Sequence, residues 1–398
     1  MSDRQATPGA VVAVAGAARL LSRRAGSEVE LFEPEDLGGS GRSVVARARM
    51  AQNPFSDRRS VVVKHYAPPE PGTDPATDPF RYEVASCQLF TALPTDVRPS
   101  PVIIAHDPDQ RLLVLEDLGR SLTLADKLFA PDPAGARSCL LGWARGLGRM
   151  QAATAGREGD FGALLRRLGE RARRDPIADQ ARAALAGLPR LLGETLGVEV
   201  GELAALEAHG GVRLLGGTGF RAFSPSDTCP DNNLVTSRGV RFVDFEWGCF
   251  RDVVLDAAYV RVPFPACSSS FALPDAVAAA MLDAWRAEVA PVWPELDDPE
   301  VLESRLADAQ LLWVWWSTWM LLPRVQRRDG PIGPDAGRSP RISTALRHYW
   351  RRLHDTAAAS ARPATAALAD AVVAALDARF PDAPSTLPVF PAFRGGAG

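Results

Sequence analysis

Three side chains that carry oxygen ligands occur in one polar loop and in the hairpin that follows it. Asp227 lies near the start of the loop, Asn232 follows five residues later, and Asp244 ends the next predicted β-hairpin. Mg²⁺ prefers oxygen ligands of this kind, and phosphoryl transfer needs Mg²⁺ together with a carboxylate that positions the acceptor hydroxyl. For any one of these residues alone, capping a turn is the simpler interpretation. The three in this order favour a phosphoryl-transfer site.

A lysine inside an apolar strand is the second candidate feature. Lys64 lies within Val61-Val62-Val63-Lys64-His65-Tyr66, where an unpaired charge would be costly to bury. Glu83, on the helix predicted to follow, is the best candidate for its partner. A lysine that points to water from an edge strand explains the same pattern equally well.

Two stretches of backbone could contact a nucleotide. Gly38-Gly39-Ser40-Gly41 precedes a strand and offers bare amides that could face phosphate, although a simple turn explains the glycines as well. Residues 113–119, Leu-Val-Leu-Glu-Asp-Leu-Gly, leave a predicted hairpin and open the second part of the chain. An extended linker there would expose backbone donors and acceptors at a concave surface, where ligands tend to bind. The alternative for this run is an ordinary strand exit.

The elements that must position these residues divide the chain into two parts. Strand patterns and one helical pattern alternate up to Glu116, and helical patterns dominate afterwards, apart from a β segment over residues 233–245. We therefore expect an α+β fold, with a small β-rich N-terminal lobe (1–117) and a larger, mainly helical C-terminal lobe (118–398). The elements predicted for the small lobe are the strands Ser43–Met50, Ser60–Tyr66, 101–105 and 111–115 and the helix 80–93.

Taken in chain order, these motifs resemble those of the aminoglycoside phosphotransferase and choline kinase family, whose members are relatives of the protein kinases. The resemblance covers roughly residues 35–260, over half of the chain, and its most specific parts are 107–119 and 227–256. Val243-Asp244-Phe245-Glu246-Trp247 is similar to the family's metal-binding strand end. Asp252 and Asp256 match its structural Asp-x-x-x-Asp element. The resemblance implies a two-lobed, protein-kinase-like fold.

The resemblance also implies a role for each candidate residue. Lys64 would contact the α- and β-phosphates of ATP or GTP and pair with Glu83, and Asp227 would be the catalytic base. Asn232 and Asp244 would hold Mg²⁺. The further nucleotide contacts would come from Gly39 and Gly41, at the phosphates, and from the backbone of Glu116–Leu118, at the base.

One position departs from the family pattern. Pro225-Ser226-Asp227 stands where the family usually has His-Gly-Asp. That histidine supports the catalytic loop and binds neither phosphate nor metal, so its replacement affects the geometry of the loop more than its chemistry.

The acceptor of the phosphoryl group is expected to be a small molecule that bears hydroxyl or amino groups. Only seven residues separate Asp244 from Asp252, too few for the long segment on which a protein kinase docks a peptide. The alternative function is that of a nucleotide-binding pseudokinase that acts as a scaffold. Lys64, Glu83 and the three oxygen ligands together favour the active enzyme. The tryptophans at 313, 315, 316 and 319 could form a platform for the acceptor, although such dense aromatic residues more often belong to a core.

Composition limits the cellular setting. The net charge of −3 argues against a nucleic-acid-binding protein. The five cysteines show no metal-ligand spacing, and we expect them to be reduced thiols in a cytoplasmic protein. The apolar N-terminal stretch from Gly9 to Leu21 has the pattern of an amphipathic helix rather than of a secretory signal, and no segment predicts a membrane span. The sequence leaves the oligomeric state open.

Overall fold

The computed structural model describes residues 6–39, 41–52, 57–69, 78–169, 175–265 and 267–395. The chain forms two compact units, each assembled from separate stretches of sequence. The first contains Met1–Ser121, Gly159–Arg174 and Arg241–Gly248, and the second contains Leu122–Glu158, Asp175–Val240 and Cys249–Gly398. None of the helices in the described part of the chain is long and apolar enough to cross a membrane.

The first unit is built on a five-stranded antiparallel sheet in the order β1-β2-β3-β5-β4. All four predicted strands form, each within about two residues of its predicted bounds. The sequence pattern does not predict β1, because this strand contains Pro34 and three acidic residues, which are uncommon in strands. Irregular pairing at Phe32/Glu35 and at Asp36/Gly38 accommodates them. The strands are β1 (Leu31–Gly38), β2 (Ser43–Met50), β3 (Ser60–Tyr66), β4 (Ile103–Asp107) and β5 (Leu112–Glu116).

One helix packs on each face of this sheet. Helix α1 (Pro8–Ala25) buries an alanine-rich stripe against the face that carries Val61 and Val63, so the predicted N-terminal helix is confirmed and forms part of the core. Because successive side chains of a strand alternate between its two faces, Lys64 and Tyr66 point to the other face. Helix α2 (Pro79–Thr91) lies on that side, where the predicted helix was expected.

The second unit is mainly helical, as predicted. Its long helices pack in pairs, α4 on α9, α6 on α10 and α11 on α12. Trp313, Trp315 and Trp316 lie on α10 and are almost fully buried, which confirms their interpretation as core, whereas Trp319 on the same helix is partly exposed. The helices after the sheet are α3 (Leu124–Phe129), α4 (Pro133–Thr154), α5 (Glu158–Arg167), α6 (Pro176–Leu196), α7 (Glu202–His209), α8 (Val254–Ala257), α9 (Asp275–Val289), α10 (Pro299–Arg327), α11 (Ile342–Ala359) and α12 (Pro363–Arg379).

Short strands in the second half of the chain frame the polar loop that carries Asp227. The loop begins where β7 ends and closes in a single 3₁₀ turn, Pro230–Asn232, before β8. Strand β7 pairs antiparallel with β10, and β8 pairs with β6. The predicted hairpin is formed by β8 and β9. The strands are β6 (Leu122–Thr123), β7 (Arg221–Ser224), β8 (Asn233–Thr236), β9 (Gly239–Phe242) and β10 (Cys249–Asp252).

Candidate active site

The buried lysine of β3 forms an ion pair with the predicted glutamate. Lys64 Nζ lies 2.9 Å from a carboxylate oxygen of Glu83, and only 1% of the Glu83 side chain is exposed. The hydroxyl of Tyr66 donates a second hydrogen bond, also 2.9 Å long, to the same carboxylate. The sequence indicated the pair because the strand leaves Lys64 no route to water on its buried face. It did not indicate Tyr66, which is two residues along the same face.

The same lysine also contacts the carboxylate of Asp244, which belongs to the first unit as well. Lys64 Nζ lies 2.5 Å from Asp244 Oδ1, and 37% of the Asp244 side chain is exposed, compared with 8% for Lys64. Asp244 itself has a backbone φ of +66°, in the left-handed region that is uncommon for residues other than glycine. Strained backbone of this kind is concentrated at functional sites, because the surrounding structure must hold it in place.

The segment Arg241–Gly248 is fixed in the first unit by its neighbours on both sides of Asp244. The amide of Phe242 donates to the carbonyl of Pro99 at 2.9 Å. The ring of Phe245 packs on that of Phe90, with 4.9 Å between the ring centroids. Because Phe90 belongs to α2, the helix that carries Glu83 also positions the segment that carries Asp244.

The two carboxylates keep Lys64 charged. Burial lowers the pKa of Lys64, but attraction and hydrogen bonds from Glu83 and Asp244 outweigh this effect, and the pKa of Lys64 is held above its ordinary value. A permanent cation therefore sits beside a half-exposed carboxylate.

A further ion pair lies close to Asp244 and was not predicted. Arg42 Nη2 is 2.6 Å from Glu246 Oε1, and the Arg42 guanidinium also lies 5.5 Å from the ring of Trp247. Burial, followed by repulsion from Asp244, raises the pKa of Glu246. Arg42 directly follows the glycine-rich turn, so this pair ties the end of that turn to the Asp244 segment.

The glycine-rich turn joins β1 to β2, and its geometry accounts for Gly38, whose φ is +96°, and for Gly39. Gly39 has a φ of +142°, and a β-carbon there would lie 2.2 Å from the carbonyl oxygen of Ser43. No side chain fits at this position. Gly41 has open space around it, and Ser40 lies outside the described residues. Contact between Gly39 or Gly41 and phosphate remains a prediction.

The linker after β5 is held by an acidic side chain. Asp117 accepts hydrogen bonds from Arg47 and Ser60 at 2.9 and 2.7 Å. Burial raises the pKa of Asp117, but these hydrogen bonds outweigh that effect and hold the pKa below its usual value. On either side of it, Glu116 ends β5 and Leu118 lies in the irregular stretch that follows the strand. The predicted contact of the Glu116 and Leu118 backbone with the nucleotide base is not tested by these observations.

The loop that carries Asp227 belongs to the second unit. A carboxylate oxygen of Asp227 accepts the amide of Cys229 at 3.1 Å, and the amide of Asn232 donates to the carbonyl of Cys229 at 2.8 Å. The Asn232 side chain is half-buried, whereas the next residue, Asn233, is fully buried and donates to the carbonyl of Cys229 at 2.6 Å. Asn233 therefore shapes the loop, and Asn232 leaves its carboxamide available as an oxygen ligand.

The prediction that all cysteines are reduced thiols is wrong. Cys229 and Cys267 form a disulfide, with 5.5 Å between their Cα atoms, and both sulfur atoms lie within 4.8 Å of a carboxylate oxygen of Asp227. The two residues are 38 positions apart, so no local spacing indicates the pair. Cys87, Cys139 and Cys249 are free.

Because of this disulfide, we expect the stability of the protein to depend on redox conditions. Reducing it should lower the free energy of unfolding by about 2–4 kcal/mol, because the unfolded chain regains the freedom of a long loop. Thermal melts with and without dithiothreitol measure the effect. The control is the double variant Cys229→Ser, Cys267→Ser, which should melt at the lower temperature and show no response to the reductant. A parent protein whose melting temperature ignores dithiothreitol contradicts the prediction.

Comparison with solved structures confirms the predicted fold. A choline kinase from Cryptosporidium parvum superposes with a TM-score of 0.51 at 10% identity, over 84% of this chain and 93% of that one. A choline kinase from Streptococcus pneumoniae gives 0.44 at 14% identity, over 86% and 99%. A thermostable mutant of aminoglycoside phosphotransferase APH(4)-Ia gives 0.47 at 12% identity, over 85% and 99%. No family model and no curated protein matches the sequence. The chain has the predicted protein-kinase-like fold, similar to that of the Cryptosporidium parvum choline kinase.

Proposed function

We propose that this protein transfers the γ-phosphoryl group of ATP or GTP to a hydroxyl group of a small molecule, with Mg²⁺ as cofactor. The observation that carries the proposal is the ion-pair cluster of Lys64, Glu83 and Asp244. A buried cation held between a buried carboxylate and a half-exposed one costs free energy to assemble, so a structural role alone explains it poorly. Phosphoryl transfer uses all three groups.

Lys64 and Glu83 are proposed to bind and orient the nucleotide. Because the pKa of Lys64 is raised, its ammonium group stays charged across the physiological pH range and can attract phosphate oxygens. Glu83 and Tyr66 restrict that group to one position. The Arg42–Glu246 pair would fix the glycine-rich turn, whose amides at Gly39 and Gly41 would contact the phosphates, and the Glu116–Leu118 backbone would contact the base.

Asp244 and Asn232 are proposed to be the Mg²⁺ ligands, on the chemistry of their side chains. Asp244 offers a carboxylate whose side chain is 37% exposed, and Asn232 offers a half-buried carboxamide, both of them the hard oxygen ligands that Mg²⁺ takes. When bound, the metal would neutralise charge on the transferred phosphoryl group. Asp244 would then have to exchange part of its contact with Lys64 for the metal–nucleotide complex.

Asp227 is proposed to be the base. Its carboxylate can accept hydrogen bonds, and the amide of Cys229 already fixes one of its oxygens. The hydroxyl proton of the acceptor would pass to this carboxylate as the oxygen attacks. A small acceptor is supported by the chain between the Asp244 segment and β10, because Gly248 is followed directly by the strand at Cys249 and no long peptide-docking segment intervenes.

A transfer assay tests this proposal. The purified protein is incubated with Mg²⁺ and γ-labelled ATP or GTP against amino alcohols, amino sugars and macrolides, and the labelled product is measured. We expect Mg²⁺-dependent nucleotide binding and turnover with one acceptor class. Mg²⁺-dependent binding with no turnover on any acceptor would support the pseudokinase scaffold instead, and absence of nucleotide binding would refute both functions.

A further inference from the structure

The residue before the proposed base has an unusual backbone conformation. Ser226 has a φ of +60° and is buried, although it is neither glycine nor asparagine. The peptide that leaves Ser226 determines the direction in which Asp227 projects. Such a conformation persists only where neighbouring groups hold it.

Three side chains contact Ser226, one at each of its polar groups. The hydroxyl of Tyr259 donates to its carbonyl oxygen at 3.0 Å. Its amide donates to the hydroxyl of Ser224 at 3.0 Å, and its own hydroxyl lies 3.2 Å from the sulfur of Cys249. All of these residues are buried, and all belong to the second unit. The peptide unit between Ser226 and Asp227 is held at both ends, since Tyr259 binds its carbonyl oxygen and its amide donates to the carbonyl of Pro225 at 2.7 Å. Tyr259 provides the side-chain contact to this unit.

Tyr259 is itself held by a buried arginine. Arg251 Nη2 donates to the Tyr259 oxygen at 3.2 Å and forms an ion pair with Asp256. The hydroxyl of Ser224 donates to the same carboxylate oxygen at 2.9 Å. The network is thus closed, because it reaches the Ser226 carbonyl through Tyr259 and the Ser226 amide through Ser224.

Burying the charge of Arg251 costs free energy, and stability alone does not explain its presence. Only 1% of its side chain is exposed, and within the described residues two of its guanidinium nitrogens, Nε and Nη1, have no hydrogen-bond partner. A buried ion pair of this kind is often no more stable than an apolar replacement of similar volume. Positioning explains its presence better than stability does, because the guanidinium orients both Asp256 and Tyr259.

We propose that Tyr259 and Arg251 are positioning residues that hold the Ser226 carbonyl and thereby direct the carboxylate of Asp227. The inference rests on the proposed function, because it assigns Asp227 as the group that is directed. It adds two residues to which the sequence analysis assigns no role.

The test removes the single hydroxyl of Tyr259 by the substitution Tyr259→Phe. The matched control is Thr318→Val, which also deletes a buried hydroxyl with two hydrogen bonds. The Thr318 hydroxyl donates to the carbonyl of Val314 at 2.7 Å and accepts from the indole of Trp350 at 2.9 Å, and none of these residues belongs to the loop. Both variants keep the shape of the side chain and should lose similar stability. Thermal melts establish that they are matched.

Two readouts separate positioning from stability. Hydrogen exchange of the amides between residues 226 and 233 should become about fivefold faster in Tyr259→Phe, the factor expected for one lost hydrogen bond, and should be unchanged in Thr318→Val. Turnover per folded molecule should fall by about 10- to 10²-fold in Tyr259→Phe alone, with nucleotide affinity unchanged.

The outcomes for this inference and for the proposed function are distinct. Equal exchange in the two variants overturns the positioning of the loop by Tyr259. Faster exchange with unchanged turnover in an active enzyme overturns its connection with Asp227. If the parent protein transfers no phosphate to any acceptor, the proposed function fails, and the exchange result still decides whether Tyr259 holds the loop.

Discussion

Replacing Asp227 by asparagine is expected to lower turnover by about 10²–10⁴-fold, the usual contribution of a positioned general base. Asparagine keeps the size of the side chain. Its carbonyl oxygen can still accept the hydrogen bond from the backbone amide of Cys229, which lies 3.1 Å from the Asp227 carboxylate in the parent protein. It cannot take up a proton from the acceptor. Nucleotide affinity should therefore stay close to that of the parent protein. Steady-state turnover with a productive acceptor and equilibrium binding of ATP measure the two quantities.

The control for Asp227→Asn is another aspartate of the same unit. Asp308 is buried and pairs with Arg213 and Arg362 at 2.9 and 2.7 Å. Asp308→Asn should lower the melting temperature and leave turnover per folded molecule unchanged. If Asp227→Asn behaves in the same way, its role is structural and the assignment of the base is wrong.

The small sheet and the Lys64–Glu83 pair could be predicted because both depend on short stretches of chain. Alternating apolar residues set the faces of β2 and β3, and a lysine on a buried face requires a nearby acid. Glu83 lies on the next element, 19 residues away, so few partners compete. The predicted order of these elements is confirmed for the same reason.

Contacts between distant parts of the chain could not be predicted. Lys64 and Asp244 are 180 residues apart, and no periodicity relates a strand in the first unit to a segment that returns to it after the β8–β9 hairpin. Arg42 and Glu246 are 204 residues apart, and the same limit applies to them. The resemblance to kinases implied that Lys64 and Asp244 act on one ligand, but it did not imply their direct ion pair.

The disulfide could not be predicted from the sequence for a different reason. Composition suggested reduced thiols because five scattered cysteines lack any recognisable spacing. Pairing depends on the approach of two Cα atoms, and that approach is set here by the loop after Ser226 and by the turn at Phe264, whose carbonyl accepts the amide of Cys267 at 2.9 Å. Ser226 and Phe264 both have positive φ values, which the sequence does not indicate for non-glycine residues.

The variant Asp244→Asn should differ from Asp227→Asn by weakening nucleotide binding itself. Loss of a charged metal ligand should lower the affinity for Mg²⁺–ATP, and turnover should fall by at least about 10²-fold, because a group that offsets charge in the transition state is removed. The substitution also removes one of the two carboxylates that hold Lys64. In the parent protein, an oxygen of this carboxylate lies 2.5 Å from Lys64 Nζ. Glu83 should keep the lysine in place.

The measurement that decides this role is a titration of ATP affinity against Mg²⁺ concentration. Excess Mg²⁺ should partly restore binding to Asp244→Asn, because a weakened metal site fills at higher concentration, and should not restore turnover to Asp227→Asn. Asp78→Asn serves as the control in the same unit, since Asp78 is a buried carboxylate that pairs with Arg111 at 2.7 Å. It should lower the melting temperature with no change in the Mg²⁺ dependence. If Asp244→Asn matches Asp78→Asn in this titration, Asp244 is an ion-pair partner of Lys64 and holds no metal.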